Sequence, residues 1–178
     1  MKPWLRRNWI GLIAVGVLVP ATVGITFANE WTEYFGGRPS APTSVAAGDT
    51  VDFADSGFVL RDSRRIPAAS AEGEKIGLPA GSDLVVVTVS VTPDGEAPGC
   101  IVRLEEFDGA AVTRSWGDSS FDPIDFTATE GTKSYCATDE AGPYLLESVF
   151  VVASDAGDDL AVALTVASEL PRYLSLRL

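Results

Sequence analysis

The pattern of hydrophobic and polar positions divides the 178-residue chain into two parts. Residues 9–28, WIGLIAVGVLVPATVGITFA, form an uninterrupted apolar stretch without a charged side chain. A helix of this length rises about 30 Å, which matches the hydrocarbon core of a bilayer. The stretch predicts one N-terminal transmembrane helix, through which the protein contacts the membrane.

Charges on either side of the apolar stretch predict its orientation. Lys2, Arg6 and Arg7 precede it without any acidic residue, whereas Glu30 and Glu33 follow it. Because positive charge is retained on the cytoplasmic side, residues 1–8 are expected to be a basic cytoplasmic tip. Everything after Ala28 is then extracytoplasmic, and the protein is placed in the cell membrane.

A cleavable signal peptide is the alternative interpretation of the same stretch. Thr26, Phe27 and Ala28 would permit a cut before Asn29, since small residues occupy the two critical positions. The apolar run is, however, longer than the roughly 7–15 residues of an ordinary signal core. A retained signal anchor is therefore preferred, and both interpretations export the same domain.

After the apolar stretch, residues 29–48 are expected to be a juxtamembrane stalk. Their central part, GGRPSAPTS at residues 36–44, is rich in glycine, proline and serine and predicts a semi-extended linker. The extracytoplasmic domain is predicted at residues 49–178.

Within this domain, alternating apolar and polar positions replace helical periodicity. Residues 83–92, DLVVVTVSVT, are the strongest strand, and the run Leu84–Val87 indicates burial on both faces at its start. Asp108-Gly109 predicts a hairpin. Seven to nine short strands predict an all-β, antiparallel sandwich of immunoglobulin-like type, with a closed barrel as the alternative. Further segments with strand patterns are DFADSGFVLR, CIVRLEEF, AAVTRSW, TKSYCAT, YLLESVFVV, DLAVALTVA and YLSLRL.

Cys100 and Cys136 are the only cysteines, and both follow the apolar stretch in predicted strands. An oxidising compartment allows them to pair, so a Cys100–Cys136 disulfide is expected. Two separate buried thiols are the alternative. A redox or metal site is disfavoured because the chain has no C-x-x-C sequence and no histidine.

Composition narrows the classes of function. The net charge is -12, and the part after Ala28 is more acidic still, with 10 basic and 25 acidic residues. Such a surface repels phosphate backbones, so nucleic acid is not an expected partner. The ten arginines against three lysines, together with abundant alanine, valine, glycine and aspartate, are typical of an actinobacterial source.

Candidate chemistry is sparse, and an enzyme is not expected. The absence of histidine removes the usual general base and the commonest transition-metal ligand. Glu105 and Glu106 are adjacent on a strand, so they point to opposite faces and cannot share a site. No cofactor is expected, and the alternative is a calcium site at Asp118, Asp122 and Asp125, since oxygen-rich loops can hold this ion.

Two loops hold the remaining candidates. A second acidic loop contains Asp155, Asp158 and Asp159, for which solvated turn residues are the preferred interpretation. Trp116, Phe121 and Phe126 cluster in sequence around the first acidic loop. They are expected to be core or loop-pinning aromatics, with a binding patch at one end of the sandwich as the functional alternative.

Four segments carry a resemblance to a known family: residues 78–93, LPAGSDLVVVTVSVTP; 100–112, CIVRLEEFDGAAV; 144–164, YLLESVFVVASDAGDDLAVAL; and 171–178, PRYLSLRL. The chain resembles the immunoglobulin-like domain of unknown function in surface proteins of Gram-positive bacteria. That family is related in fold to a small secreted immunogenic antigen of mycobacteria. The resemblance implies extracytoplasmic binding or scaffolding without catalysis.

These observations favour a non-enzymatic, single-pass envelope protein that presents its sandwich for contact with a membrane or envelope protein. An accessory subunit of a membrane complex or transporter fits this expectation. The alternatives are a calcium- or small-ligand-binding sensor domain and, if the N-terminal segment is cleaved, a secreted β-sandwich antigen.

Overall fold

The computed structural model describes residues 3–120 and 122–178. The chain forms two compact units, Met1–Arg38 and Pro39–Leu178. The helices of the described residues are α1 (Pro3–Gly36) and α2 (Ala71–Ile76), with a short 3₁₀ turn at Ala167–Glu169. The strands are β1 (Ala41–Val45), β2 (Thr50–Phe53), β3 (Ser56–Pro67), β4 (Ser82–Pro93), β5 (Cys100–Asp108), β6 (Ala111–Gly117), β7 (Thr132–Lys133), β8 (Tyr144–Ala153), β9 (Leu160–Val166) and β10 (Arg172–Arg177).

Helix α1 is longer than the predicted apolar span. It has 34 residues, about 50 Å at the rise of an α-helix, and includes Pro20. Past Ala28 it is stabilised by contacts one turn apart among Phe27, Trp31 and Phe35, whose ring centroids are 5.9 and 4.5 Å apart. The helix is long and apolar enough to cross a membrane, and the boundaries 9–28 of the span stay a prediction.

The predicted stalk at residues 29–48 is wrong as a continuous linker. Its first part belongs to α1, and Ala41–Val45 form β1, which pairs in parallel with β10. The pairing uses backbone groups that an extended stalk would leave to solvent. Only residues 37–40 connect the helix to the first strand.

Two five-stranded sheets form the sandwich, as the strand pattern predicted. Sheet A has the order β1-β10-β9-β5-β6, and sheet B has the order β2-β3-β4-β8-β7. The chain crosses from sheet B to sheet A between β4 and β5, returns before β7 and β8, and crosses again between β8 and β9. This alternation gives the immunoglobulin-like arrangement. The sandwich is not wholly antiparallel, since β1 pairs with β10 and β7 with β8 in parallel.

The main core lies between the sheets. Alternate residues of β4, β5, β9 and β10 face it, and the strictly apolar alternation at the end of the chain places Leu174 and Leu176 there without exposure to solvent. The largest fully buried side chains of this core include Phe58, Phe150, Leu104, Leu146 and Leu164.

A second apolar cluster lies on the outer face of sheet B. Leu84 and Val86 of β4 pack there, whereas Val85 and Val87 face the main core. The prediction of burial on both faces at the start of β4 is therefore confirmed. The covering elements are α2 and the segment after β6, which contribute Ile76, Leu78, Ile124 and Phe126.

Helix α2 was not predicted because it spans only six residues. Ser70 caps it by accepting a hydrogen bond from the Gly73 amide at 3.0 Å. Gly77 ends it in the left-handed conformation, with φ of 77°. A Cβ on Gly73 would lie only 2.2 Å from the carbonyl oxygen of Pro67, so glycine is required where α2 contacts the end of β3.

Residues 52–61 form a hairpin instead of the single predicted strand. Ala54 and Asp55 form the turn between β2 and β3, with φ of 49° and 54°. Type I′ turns require positive φ at both central residues, and asparagine-glycine or aspartate-glycine pairs usually occupy them. The alanine-aspartate pair lacks that signal. The Asp94 amide holds the turn by donating to the Asp55 carbonyl oxygen at 2.9 Å.

Candidate functional site

The predicted disulfide is confirmed. Cys100 and Cys136 are bonded, with their Cα atoms 5.4 Å apart. Cys100 begins β5 as expected, but Cys136 lies in the loop between β7 and β8 and not in a strand. The bond joins β5 of sheet A to the loop between β7 and β8 of sheet B. It therefore fixes one corner of the sandwich covalently.

The three aspartates of the first acidic loop do not form a set of ligands. Asp118 accepts a hydrogen bond from the amide of Ser120 at 2.7 Å, while Asp122 and Asp125 are exposed. Within residues 3–120 and 122–178, no three histidine, cysteine, aspartate or glutamate side chains come together to hold a metal ion. Calcium binding by these residues stays a prediction that this geometry does not support.

The second acidic loop, between β8 and β9, is held by arginines. Asp155 accepts a hydrogen bond from Arg114 at 2.7 Å, and Asp159 accepts one from Arg177 at 2.8 Å. Arg65 reaches the same loop from sheet B, donating to the Ala156 carbonyl oxygen at 2.9 Å. This loop carries the chain from sheet B to sheet A, so the arginine contacts of Asp155 and Asp159 stabilise a crossing between the sheets.

Glu106 on β5 binds both Arg114 and the loop between β8 and β9. Arg114 donates to both of its carboxylate oxygens, one at 2.9 Å, and the Gly157 amide donates to it at 2.8 Å. Hydrogen bonds from Arg114 and then from Gly157 stabilise the ionised form and lower the pKa of Glu106 to about 2. The carboxylate therefore stays ionised, and its hydrogen bonds to Arg114 and Gly157 give it a structural role.

Glu105 lies on the opposite face of sheet A. The Tyr173 hydroxyl donates to its carboxylate at 3.4 Å. Burial is the main cause that raises the pKa of Glu105, partly offset by this hydrogen bond and by Arg103 and Arg177. Burial and the neighbouring carboxylate raise the pKa of Tyr173 to about 12. The expectation that Glu105 and Glu106 cannot share a site is confirmed.

The three candidate aromatic residues do not form one patch. Trp116 is half-buried on β6 and packs against the main core, whereas Phe126 packs against the second cluster on sheet B. They are separated because β6 belongs to sheet A and the following segment covers sheet B. Phe121 lies outside the described residues. The interpretation as core or loop-pinning aromatics holds for Trp116 and Phe126.

Large apolar side chains are exposed beside the disulfide. Ile101 is 65% and Tyr135 is 53% exposed, and both line a groove of about 310 Å³ together with Cys100 and Cys136. Ile101 follows Cys100 on the outward side of β5, so the covalent corner holds it in place. We call the pair Ile101 and Tyr135 the disulfide corner.

Sequence reasoning missed the arginines that organise the structure. Arg65 also donates to Asp83 on the neighbouring strand at 2.7 Å, and Arg114 lies opposite Glu106 in the β5–β6 ladder. The second pair had no readable signal, because the Asp108-Gly109 hairpin alone predicts Thr113 opposite Glu106 and a β-bulge between Glu106 and Phe107 shifts the register to Arg114. The first pair had none either, because the β3–β4 register cannot be read without knowing the connection around α2.

Comparisons with known proteins leave the family open. No protein-family model matches the chain, and no curated protein matches it. Among solved structures, it is similar to an uncharacterized β-sandwich protein from Clostridium difficile 630, with TM-score 0.43 and 8% identity over 78% of this chain and 95% of that one. It is also similar to a candidate lipoprotein from Staphylococcus aureus subsp. aureus NCTC 8325, with TM-score 0.46 and 10% identity over 75% and 90% of the two chains. The resemblance to the Gram-positive surface family and the actinobacterial source stay predictions.

Proposed function

We propose that this protein is a non-enzymatic, single-pass protein of the cell envelope. Its N-terminus lies in the cytoplasm, α1 anchors it in the cell membrane, and its sandwich is presented outside for contact with another membrane or envelope protein. The resemblance to extracytoplasmic domains of Gram-positive bacteria supports this assignment, as does the acidic, histidine-free composition of the exported part.

One observation carries the proposal: the apolar surface of α1 is exposed. Val17, Leu18 and Ile25 are 62%, 63% and 73% exposed, and the apolar stretch of α1 has no buried residue. An uncovered apolar surface of this extent is not stable in water, so it requires a lipid or protein environment. A membrane satisfies it along the whole helix.

Fractionation of cells that produce the full chain tests the anchor. We expect the protein in the membrane pellet after an alkaline wash, with residues 1–8 still attached. The variant Leu18→Arg places a charge in the middle of the apolar stretch, which costs roughly 2.5–3.5 kcal/mol on insertion scales, and should reduce the membrane-bound fraction. Glu30→Gln lies outside the stretch and is the matched control. A mature chain that begins at Asn29 in the culture fluid would contradict the anchor.

Site-specific photo-crosslinking tests the contact with a partner. The disulfide corner is a rigid surface with two exposed apolar side chains, which supports its use as the contact region. A photoreactive phenylalanine analogue at Tyr135 should give a discrete adduct in intact membranes, whereas the same analogue at Val112, 44% exposed on β6, should not. Ile101→Asp should abolish the adduct. A chain that stays monomeric and uncrosslinked at its native level would count against the proposal.

A further inference from the structure

The C-terminal part of α1 carries an aromatic face that extends beyond the apolar stretch. Phe27, Trp31 and Phe35 are exposed and follow one another at intervals of four residues, so they occupy one side of the helix. Phe35 lies about 10 Å past residue 28 along the axis, at the rise of an α-helix. This distance exceeds the roughly 5–7 Å that the headgroup region adds on each side of the hydrocarbon core.

The polar residues of the same two turns lie on the other sides of the helix. At about 100° per residue, Asn29, Glu30 and Glu33 are all about 100° or more around the axis from Trp31 and from Phe35. Asn29 donates a hydrogen bond to Glu33 at 3.5 Å on that polar side. A bilayer surrounds a helix equally on all sides, so contact with lipid alone does not explain an aromatic face confined to one of them.

The aromatic face continues into the apolar stretch with a seven-residue repeat. Ala21, Gly24, Ala28, Trp31 and Phe35 are separated alternately by three and four residues, and alanine recurs every seven residues at positions 14, 21 and 28. This is the spacing of the positions that meet in a left-handed pair of helices. The small residues of the repeat allow two membrane helices to approach closely. We call these five residues the α1 seam.

Orientation and charge favour a second copy of this chain as the occupant of the α1 seam. In the proposed function, on which this step rests, every copy is anchored in the same direction, so two copies meet in parallel and each seam residue lies opposite its own counterpart. A charged seam residue would therefore repel itself. The repeat contains no charged position from residue 10 to residue 35, while Glu30 and Glu33 lie outside it. We infer that α1 forms a parallel homodimer through the α1 seam.

The membrane lowers the entropic cost of this pairing. Two anchored chains already share one plane and one orientation, so they lose less translational and rotational freedom on association than two chains in solution. Trp31 and Phe35 provide the largest contact area, because aromatic side chains bury more surface than any others. In the dimer they pack against their counterparts outside the hydrocarbon core, where an exposed apolar ring is unfavourable.

Sedimentation of the full-length chain in density-matched detergent micelles measures the dimer. Gly24→Ile should weaken dimerisation about tenfold or more, because a branched side chain holds the two backbones apart. Gly16→Ile, outside the α1 seam, is the matched control and should dimerise like the wild type. A Cβ at either glycine meets no atom within 4 Å, so neither change disturbs α1 itself. A wild type that stays monomeric would overturn the inference, as would equal weakening by the two variants.

A second pair of variants tests the aromatic part of the α1 seam. Trp31→Ala should weaken dimerisation, whereas Trp9→Ala should not. The two side chains are matched in exposure, at 56% and 57%, but Trp9 lies outside the seam at the other end of the apolar stretch. Equal dissociation constants for these two variants would show that the aromatic face does not take part in the pairing and would contradict the homodimer described here.

Photo-crosslinking in membranes of producing cells identifies the occupant. Two differently tagged copies of the full chain are produced together, with a photoreactive phenylalanine analogue at Phe35 or, as the control, at Glu33. The analogue at Phe35 should couple the two tags, and the analogue at Glu33 should not. Coupling of Phe35 to a different protein, or to lipid alone, would overturn the inference. A chain that pellets with the membranes but fails this test leaves the anchor intact, whereas a chain absent from the pellet contradicts the anchor.

Discussion

Glu105 and Glu106 are adjacent on β5, yet their carboxyl groups lie on opposite faces of sheet A and their pKa values move in opposite directions. Arg114 and the Gly157 amide hold Glu106 as an anion and lower its pKa to about 2. Burial beside Tyr173 raises the pKa of Glu105 above 4.5. Two neighbouring residues of the same type therefore give the domain two opposite responses to pH.

The ionised carboxylate of Glu106 should stabilise the sandwich above about pH 4.5. Its pKa is lower in the folded protein than in the unfolded one, so its contribution is present above about pH 4.5 and is lost as pH falls toward about 2. Glu106→Gln should lower the melting temperature at pH 7 and lower it less at pH 3. Circular dichroism on both proteins measures the difference, with Glu96→Gln as control. An equal loss at both pH values would show that the charge of Glu106 is not what stabilises the crossing.

Glu105 should make the stability of the domain depend on pH in the opposite direction. Because its pKa is raised in the folded protein, the wild type loses stability as pH rises from about 4.5 through the folded value. Glu105→Gln removes the buried charge and keeps a group that can accept from Tyr173. We therefore expect this variant to gain stability relative to the wild type between pH 4 and pH 7, measured by urea unfolding. A relative loss over that interval would contradict the assigned sign.

The sequence predicted the strands well because their burial repeats with a period of two. The alternation of Leu174 and Leu176, the pairing of Cys100 with Cys136, and the double-sided burial at Leu84–Val87 were all readable. Each of these features could be inferred from a local sequence pattern or from the amino-acid composition. The two-sheet arrangement followed from the number and spacing of such strands.

Features that depend on tertiary register were not readable. The Ala54–Asp55 turn lacks the usual residues, and α2 is too short to show helical periodicity. Asp52, Gly57 and Thr92 lie in one row across sheet B, although Thr92 follows Gly57 by 35 positions. This row could not be predicted before the pairing of β2, β3 and β4 was known.

The disulfide should contribute substantially to stability. Cys100 and Cys136 are 36 residues apart, and the chain-entropy model gives about 4 kcal/mol for a loop of that size. The double variant Cys100→Ser, Cys136→Ser should therefore unfold at a clearly lower urea concentration than the oxidised wild type. Reduction of the wild type should reproduce the shift. Oxidised and reduced proteins with the same midpoint would contradict this prediction.

The core packing of β10 should tolerate little loss of side-chain volume. Leu174 is fully buried in β10, which lies between β1 and β9 in sheet A. Leu174→Ala should cost about 2–5 kcal/mol in the free energy of unfolding, as large-to-small core changes do. Leu145→Ala, at a position that is 40% exposed, is the matched control and should cost much less. Similar losses for the two variants would argue against the assigned core.

Gly73 should be intolerant of even a methyl group. The atoms that a Cβ would meet there belong to the backbone, since it would lie 2.2 Å from the Pro67 oxygen and 2.8 Å from the Cα of Ala68. Neither can rotate away, so Gly73→Ala must displace α2 from the end of β3 and loosen Ile76 from the cluster on sheet B. We expect a loss of about 1–3 kcal/mol, the usual cost of overpacking. Gly99→Ala is the control, because its Cβ would meet only the Thr138 methyl group at 3.5 Å. If Gly73→Ala unfolds at the same urea concentration as Gly99→Ala, then α2 does not pack on β3 as described, and the second cluster is not covered by it.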